Sequence, residues 1–341
     1  MKPSNATQRF TLFTALCIVS VQPYFYGCTN NSFDSARSDS AVETFEDNDG
    51  DGYSGLFDED DPSSFDCNDE DPNITPHNYR FIPEGDFIRG SELGADTQPT
   101  RDIFLSAYCI SVYEVTNEEF VSFMNAQRQL GYENETTEGL PLFDFEDMDD
   151  PYPERILDSS PYTVQIGYEH HPVVEVYRWS AIAYCQSLNM RLPTEAEWEK
   201  AARGTEGALF PWGNDIATCE RANYWPREPD SSGLPCVDDT QPVGSYPAGF
   251  FGLYDMAGNV SEWIHDWYQA NYYDESPTEN PVGPASGWSV DEMNPDGFEA
   301  GLARGGSLGS GAGSLRSFHR VAEPIDATSN GLGFRCVIPT N

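Results

Sequence analysis

Apolar and polar residues change rhythm several times along this chain, and each change marks a different kind of structure. A twelve-residue apolar-leaning run, "FTLFTALCIVSV", follows Lys2 and Arg9 at the start. After Cys28, "TNNSFDSARSDSAVETFE" is polar and low in hydrophobics, which predicts a flexible tether, and a strongly acidic stretch follows it. From about Asn78 the pattern turns to short alternating runs broken by glycine and proline. "FIPEGDFIRGS" predicts a strand, a glycine turn and another strand.

Three stretches carry helical spacing instead. In "EVTNEEFVSFMNAQRQL" the apolar Phe120, Phe123 and Met124 share one face, and Thr116 with Glu119 forms a capping box. "WSAIAYCQSLN" predicts a second helix with Ser180 as its cap. "RLPTEAEWEKAARG" predicts a third, opened by Thr194 and Glu197 and stopped at Gly204. The remainder is turn-rich, with short strands and long loops.

The apolar run is too short to cross ~30 Å of hydrocarbon as a helix and suits a signal peptide. It ends at "FYGC", where Gly27 before Cys28 is similar to a bacterial lipobox, with Cys28 as the lipidated residue. Phe25 and Tyr26 depart from the lipobox pattern, and ordinary cleavage nearby is the alternative. The expectation is export, to an outer-membrane or cell-surface lipoprotein held by its lipid, or otherwise to the periplasm or medium. The segments read as 1–28 signal, 29–45 tether, 46–77 acidic segment and 78–341 folded domain.

Charge narrows the partners. Eighteen Lys and Arg stand against 57 Asp and Glu, a formal −39. Such a surface repels phosphate backbones, so nucleic acid is excluded as a partner, while divalent cations are favoured. Eight cysteines, at 17, 28, 67, 109, 185, 219, 236 and 336, leave six once the leader is set aside. An even number in an exported chain points to disulfides, and no CxxC or paired-histidine spacing suggests zinc.

Between Glu43 and Asp71 lie thirteen acids. Asp47, Asp49 and Asp51 alternate around Gly50, with Tyr53 following, and Asp66, Asn68, Asp69 and Asp71 come before Pro72. Calcium takes six to eight oxygens, and alternating carboxylates around a glycine turn can wrap one ion. The segment resembles thrombospondin type 3-like calcium repeats, with a solvated acidic linker as the plain alternative. It lacks the EF-hand's glutamate and flanking helices.

The strings "YEVTNEEF", "HPVVEVYRWSAIAYCQSLNMRLPTEAEWEKAARG", "FPWGN", "GLYDMAGNVSEW", "RGGS" and "GFRCV" occur in this order over roughly residues 79–339. Together they resemble the formylglycine-generating enzymes, or sulfatase-modifying factors. The resemblance implies a C-type-lectin-like α+β fold stapled by calcium and disulfides. It implies a Cys185–Cys336 bridge, which by closing ~150 residues would stabilise the fold by several kcal/mol. It also implies a calcium site at Asp255, Gly258, Val260 and Glu262, and a second near Asn223 and Tyr224. Cys219 and Cys236 flank one loop and are expected to pair; Cys67 and Cys109 remain.

Active members of that family hold copper(I) between two cysteines five residues apart, because a soft ion needs soft thiolates. The matching positions in "RGGSLGSGAGSLRSFHR" are Ser310 and Leu315, so copper is not expected and the oxidase reaction is disfavoured. The cations left around that stretch are Arg304, Arg316, His319 and Arg320, with Arg335 beyond. Arginine forks suit carboxylates and sulfates, which makes these candidate ligand-binding residues. The alternative is that Arg304, Arg320 and Arg335 are structural partners of the chain's many acids. Two functions follow: a calcium-stiffened display module that binds an unknown protein or small molecule, or an enzyme that oxidises a sulfatase cysteine.

Overall fold

The computed structural model describes residues 48–51, 53, 65–68, 70–145, 155–227, 233–289 and 297–339. The chain divides into two units, 1–44 and 45–341, and all described residues belong to the second. Cys28, Asp47 and Asp69 lie outside the described residues.

In chain order the elements are β1 (Tyr79–Ile82), β2 (Gly85–Arg89), β3 (Arg101–Leu105), β4 (Tyr108–Ser111), α1 (Asn117–Gln129), β5 (Ile156–Leu157) and β6 (Thr163–Val164). Then come α2 (Arg178–Ser187), α3 (Glu195–Arg203), β7 (Ser261–Trp267), α4 (Tyr272–Glu275), β8 (Trp288–Ser289), β9 (Phe298–Arg304), β10 (Val321–Pro324), β11 (Leu332–Gly333) and β12 (Val337–Ile338). This is the α+β architecture of few helices and short strands that the family resemblance implies.

Both capping boxes are present. Thr116 Oγ1 accepts from the Glu119 N–H while the Glu119 carboxylate accepts from the Thr116 N–H, and Thr194 with Glu197 does the same for α3. Gly204 stops α3 at φ +66°. The second helix departs from expectation: its cap is Tyr177, without a side-chain bond, and Ser180 lies inside. The Ser180 hydroxyl donates instead to the Pro141 carbonyl, so it pins the helix sideways to a neighbouring segment. The two strands of "FIPEGDFIRGS" form, but in different sheets: β1 pairs with β4, and β2 with β3.

The main sheets run β1–β4–β12 and β10–β9–β7–β11, with β8 added to β9. The register of β7 against β9 sets Glu262 opposite Arg304. Trp198 and Trp263 are wholly buried and supply large apolar area to a fold with little regular structure. All nine residues of α3 are buried, including Glu195, Glu197, Glu199, Lys200 and Arg203. A charged helix inside a protein requires a partner for every charge, because an unpaired charge held out of water is costly. Three disulfides complete the frame: Cys67–Cys109, Cys185–Cys336 and Cys219–Cys236.

Candidate functional site

The acidic segment is built around side-chain turns. Asp49 Oδ1 accepts from the Asp51 N–H at 3.1 Å, and Asp51 Oδ1 from the Tyr53 N–H at 2.9 Å. Further on, Asp66 Oδ1 accepts from the Asn68 N–H at 2.9 Å. Each aspartate thereby spends one oxygen on the backbone and turns its side chain inward. Carboxylate oxygens of Asp49, Asp51 and Asp66 all come within 4.8 Å of one another, the only such group among the described residues. Asp51 Oδ2 is buried and accepts no hydrogen bond. Three hard carboxylates at this spacing fit a calcium ion, and these residues would hold it.

Other residues of that set go elsewhere. The Tyr53 hydroxyl bonds the His77 ring, and Asp71 Oδ1 is taken by the Asn73 N–H and side-chain amide, so Asp71 closes its own turn outside the cluster. The Cys67–Cys109 bond ties the residue beside Asp66 to β4, and Phe65 packs on Phe81 at 4.4 Å between ring centroids.

A second carboxylate group lies inside the domain. Asp255, at φ +55°, accepts the Gly244 N–H at 2.7 Å. Glu114 accepts from Asn259 Nδ2 at 2.8 Å and from the Val260 N–H at 3.2 Å. Gly258 needs its glycine: at φ +81°, a Cβ there would stand 2.4 Å from the Asn223 carbonyl. Burial pushes the Glu114 carboxyl well above the usual range, with Asp255 and then Glu262 adding to it. Burial likewise raises Asp255 to about 6. Asp255 and Glu114 are the carboxylates that would hold a cation here, and among the described residues no third carboxylate, histidine or cysteine closes a cluster with them.

Three residues named from the sequence as ligands serve other ends. Glu262 receives Arg335 Nε and Nη2, both at 2.8 Å, and the Trp198 indole N–H at 2.8 Å. Asn223 accepts the Val237 N–H and donates to the Asp239 carbonyl, a strut between loops. Tyr224 is buried and its hydroxyl donates to the Ala217 carbonyl. Glu114 was missed, because one glutamate in "YEVT" carries no ligand spacing.

The glycine-rich loop is equally divided. Arg304 is fully buried, with Nη2 at 2.6 Å from Glu199 and further bonds to the carbonyls of Ser317, Phe318 and His319. Arg320 grips Glu195 at 2.6 Å. These guanidiniums are therefore framework, a correction to their reading as ligand-binding arms. Burial alone would raise Glu199, but Arg304 and Arg203 hold its carboxyl below the ordinary value. Arg316 is only half-buried and lies over the Phe318 ring at 6.0 Å, and the His319 N–H donates to the Arg316 carbonyl. Ser310 Oγ accepts from the Ser307 N–H at 3.0 Å. Leu315 is fully buried against Phe210, Ala222, Tyr224 and Ala257.

The profile of the sulfatase-modifying factor enzyme 1-like domain matches residues 64–340. The chain belongs to that family. The formylglycine-generating enzyme of Bos taurus is 31% identical over 287 residues, covering 75% of this chain and 73% of the relative. The protein called serine/threonine-protein kinase pkn1 of Chlamydia caviae is 36% identical over 262 residues. That match covers 75% of this chain but 37% of the relative, so the chain spans little more than a third of that relative's length. Among solved structures, Treponema denticola variable protein 1 superposes with a TM-score of 0.54 at 24% identity, over 76% of this chain and 94% of that one. This last likeness concerns fold alone. The sulfatase-modifying-factor domain starts at residue 64, so Asp66 and Cys67 fall within the match and Asp49 and Asp51 precede it.

Proposed function

We propose that this sulfatase-modifying-factor domain works as a calcium-bound recognition module without the family's copper–thiolate oxidase chemistry. The observation that carries the reading is Leu315, whose side chain fills an apolar cluster at one of the two positions where an active member would place a copper-binding sulfur. Ser310, at the other, offers a hard hydroxyl already engaged with Ser307. All six cysteines among the described residues are in disulfides, so none of them supplies a thiolate. Copper(I) does not fit this loop.

Calcium would sit at two places, Asp49–Asp51–Asp66 and Asp255–Glu114, stiffening the acidic segment and the "DMAGN" turn. Recognition falls to the loop surface around Arg316 and His319, where a guanidinium remains outside the buried ion pairs and suits a carboxylate or sulfate on a protein or small molecule. The leader-like run and Cys28 support display at an exported, lipid-anchored surface.

The test incubates the purified chain with copper(I), oxygen and a cysteine-bearing sulfatase-motif peptide. Oxygen uptake and peptide mass stay unchanged if the reading is right. A copper-dependent aldehyde product establishes the competing reading, an enzyme that makes formylglycine. Labelling of the expressed chain with a radioactive fatty acid, lost in Cys28→Ala, checks the anchor.

A further inference from the structure

A cleft in two lobes opens beside β7, away from the carboxylate centres and the glycine-rich loop. The lobes measure about 360 and 370 Å³ and share Arg191, His265 and Val282. These are sizes at the small end of natural small-molecule sites. One lobe contains Glu197, which is already spent: both its oxygens are held by Arg191 at 2.6 Å.

The other lobe has no acid at all. Arg178, Gln186, Arg191, His265 and Trp267 line it together with aliphatic side chains and Pro284. In a chain with 57 acids against 18 Lys and Arg, an acid-free wall bearing two guanidiniums and an imidazole is the opposite of what random placement would give.

The charges in this lobe can be counted. Arg191 is neutralised by Glu197. Arg178 is in no ion pair among the described residues; its Nη2 donates to the His265 carbonyl and its guanidinium lies 4.7 Å from the Trp267 ring centroid. Asp266 and Glu299 act on it only through space. The His265 ring makes no hydrogen bond among the described residues and reaches solvent. Partial burial, then Arg191 and Arg178, hold that imidazole below its ordinary value, which disfavours its charged form. Arg178 is therefore the guanidinium of this lobe without a direct ion pair among the described residues, flanked by apolar walls.

We propose that this lobe is a binding site for a small monocarboxylate with an apolar body, its carboxylate on Arg178 and His265 and its body between Trp267, Val282 and Pro284. A single guanidinium matches a monoanion, and a fork pairs best with a planar carboxylate. Dianions such as phosphate esters lack a second cation here. The site is independent of the calcium centres and of whether the domain oxidises anything.

Isothermal titration with benzoate, hexanoate and indole-3-acetate at millimolar concentrations tests it, with benzamide as the uncharged control. At least one carboxylate binds, benzamide does not, and the Trp267 emission shifts on binding. Gln186→Glu places a carboxylate on an exposed helix position facing the lobe and weakens binding at least about tenfold by like-charge repulsion. Gln127→Glu, on α1 elsewhere, leaves it unchanged. Val282→Trp fills the mouth and abolishes binding. Urea midpoints matching the parent show that each variant folds. No binding by any of the three acids, equal binding of benzamide, or indifference to Gln186→Glu overturns the proposal.

Discussion

Arg304 and Glu199 meet at 2.6 Å with neither side chain touching solvent. Each is the other's main counter-charge, with Arg203 on the far oxygen of Glu199 at 2.8 Å. Removing one partner of a buried pair strands the other. Glu199→Ala and Arg304→Ala should each cost on the order of 3–5 kcal/mol, read as a lowered urea midpoint. Arg316→Ala, on the half-buried loop position, should stay within about 0.5 kcal/mol. Equal losses at Arg304 and Arg316 would contradict the division of that loop into framework and recognition surface.

The Cys67–Cys109 bond closes a loop of 42 residues. Its removal in Cys67→Ser with Cys109→Ser should lower stability by roughly 2–4 kcal/mol. Calcium affinity should fall too, because Asp66 is positioned through its disulfide-bonded neighbour while Asp49 and Asp51 come from earlier in the acidic segment. Titration with a calcium-sensitive dye checks the second part: unchanged affinity in the reduced-loop variant means the cluster does not depend on this staple.

Asp266 supplies the pH dependence. It accepts the Glu195 N–H at 3.0 Å, and burial, then Glu195, raises its carboxyl to about 8. The unfolded value is near 3.8. The folded protein therefore binds a proton that the unfolded chain has lost, and the stability this group contributes is complete below about pH 4. It declines as pH rises toward 8, at about 1.4 kcal/mol per pH unit. Asp266→Asn should be more stable than the parent at pH 8 and flatten the urea midpoint between pH 5 and 8. A parallel displacement of the two curves would rule the group out as the cause.

Local chemistry was readable in advance and distant chemistry was not. The capping boxes at Thr116 and Thr194 depend on residues three apart, so they show in the string itself. The burial of Glu195 and Glu199 does not, because their partners Arg320 and Arg304 arrive from more than a hundred residues away. Ser180 was misread as a cap because a serine near a helix start satisfies the pattern wherever its hydroxyl points. The Asp255 site was half visible: "DMAGN" carries its turn, but Glu114 reaches it from before α1. Asn223, Tyr224 and Glu262 have ligand chemistry by residue type, and their oxygens are committed to neighbouring loops and to Arg335.

Calcium at two separate centres should give two separable responses. Asp49, Asp51 and Asp66 draw on the acidic segment, so chelation there should loosen that segment while the Cys67–Cys109 bond still holds it to β4. Protease cleavage near residues 47–71 should rise with EDTA, and Asp51→Asn should reproduce that without a large change in melting. Asp255 lies in the loop between Gly244 and Val260, and Glu114 accepts from the Val260 N–H at its end, inside the packed domain. Saturating this centre at a hundredfold excess over its dissociation constant adds about 2.7 kcal/mol, so EDTA should lower the melting temperature of the parent. Asp255→Asn removes a repelling charge as well as a ligand. The variant without calcium should therefore be at least as stable as the calcium-free parent, and it should no longer respond to EDTA. A melting temperature indifferent to chelation in the parent would remove calcium from the interior, and cleavage indifferent to it would remove calcium from the acidic segment.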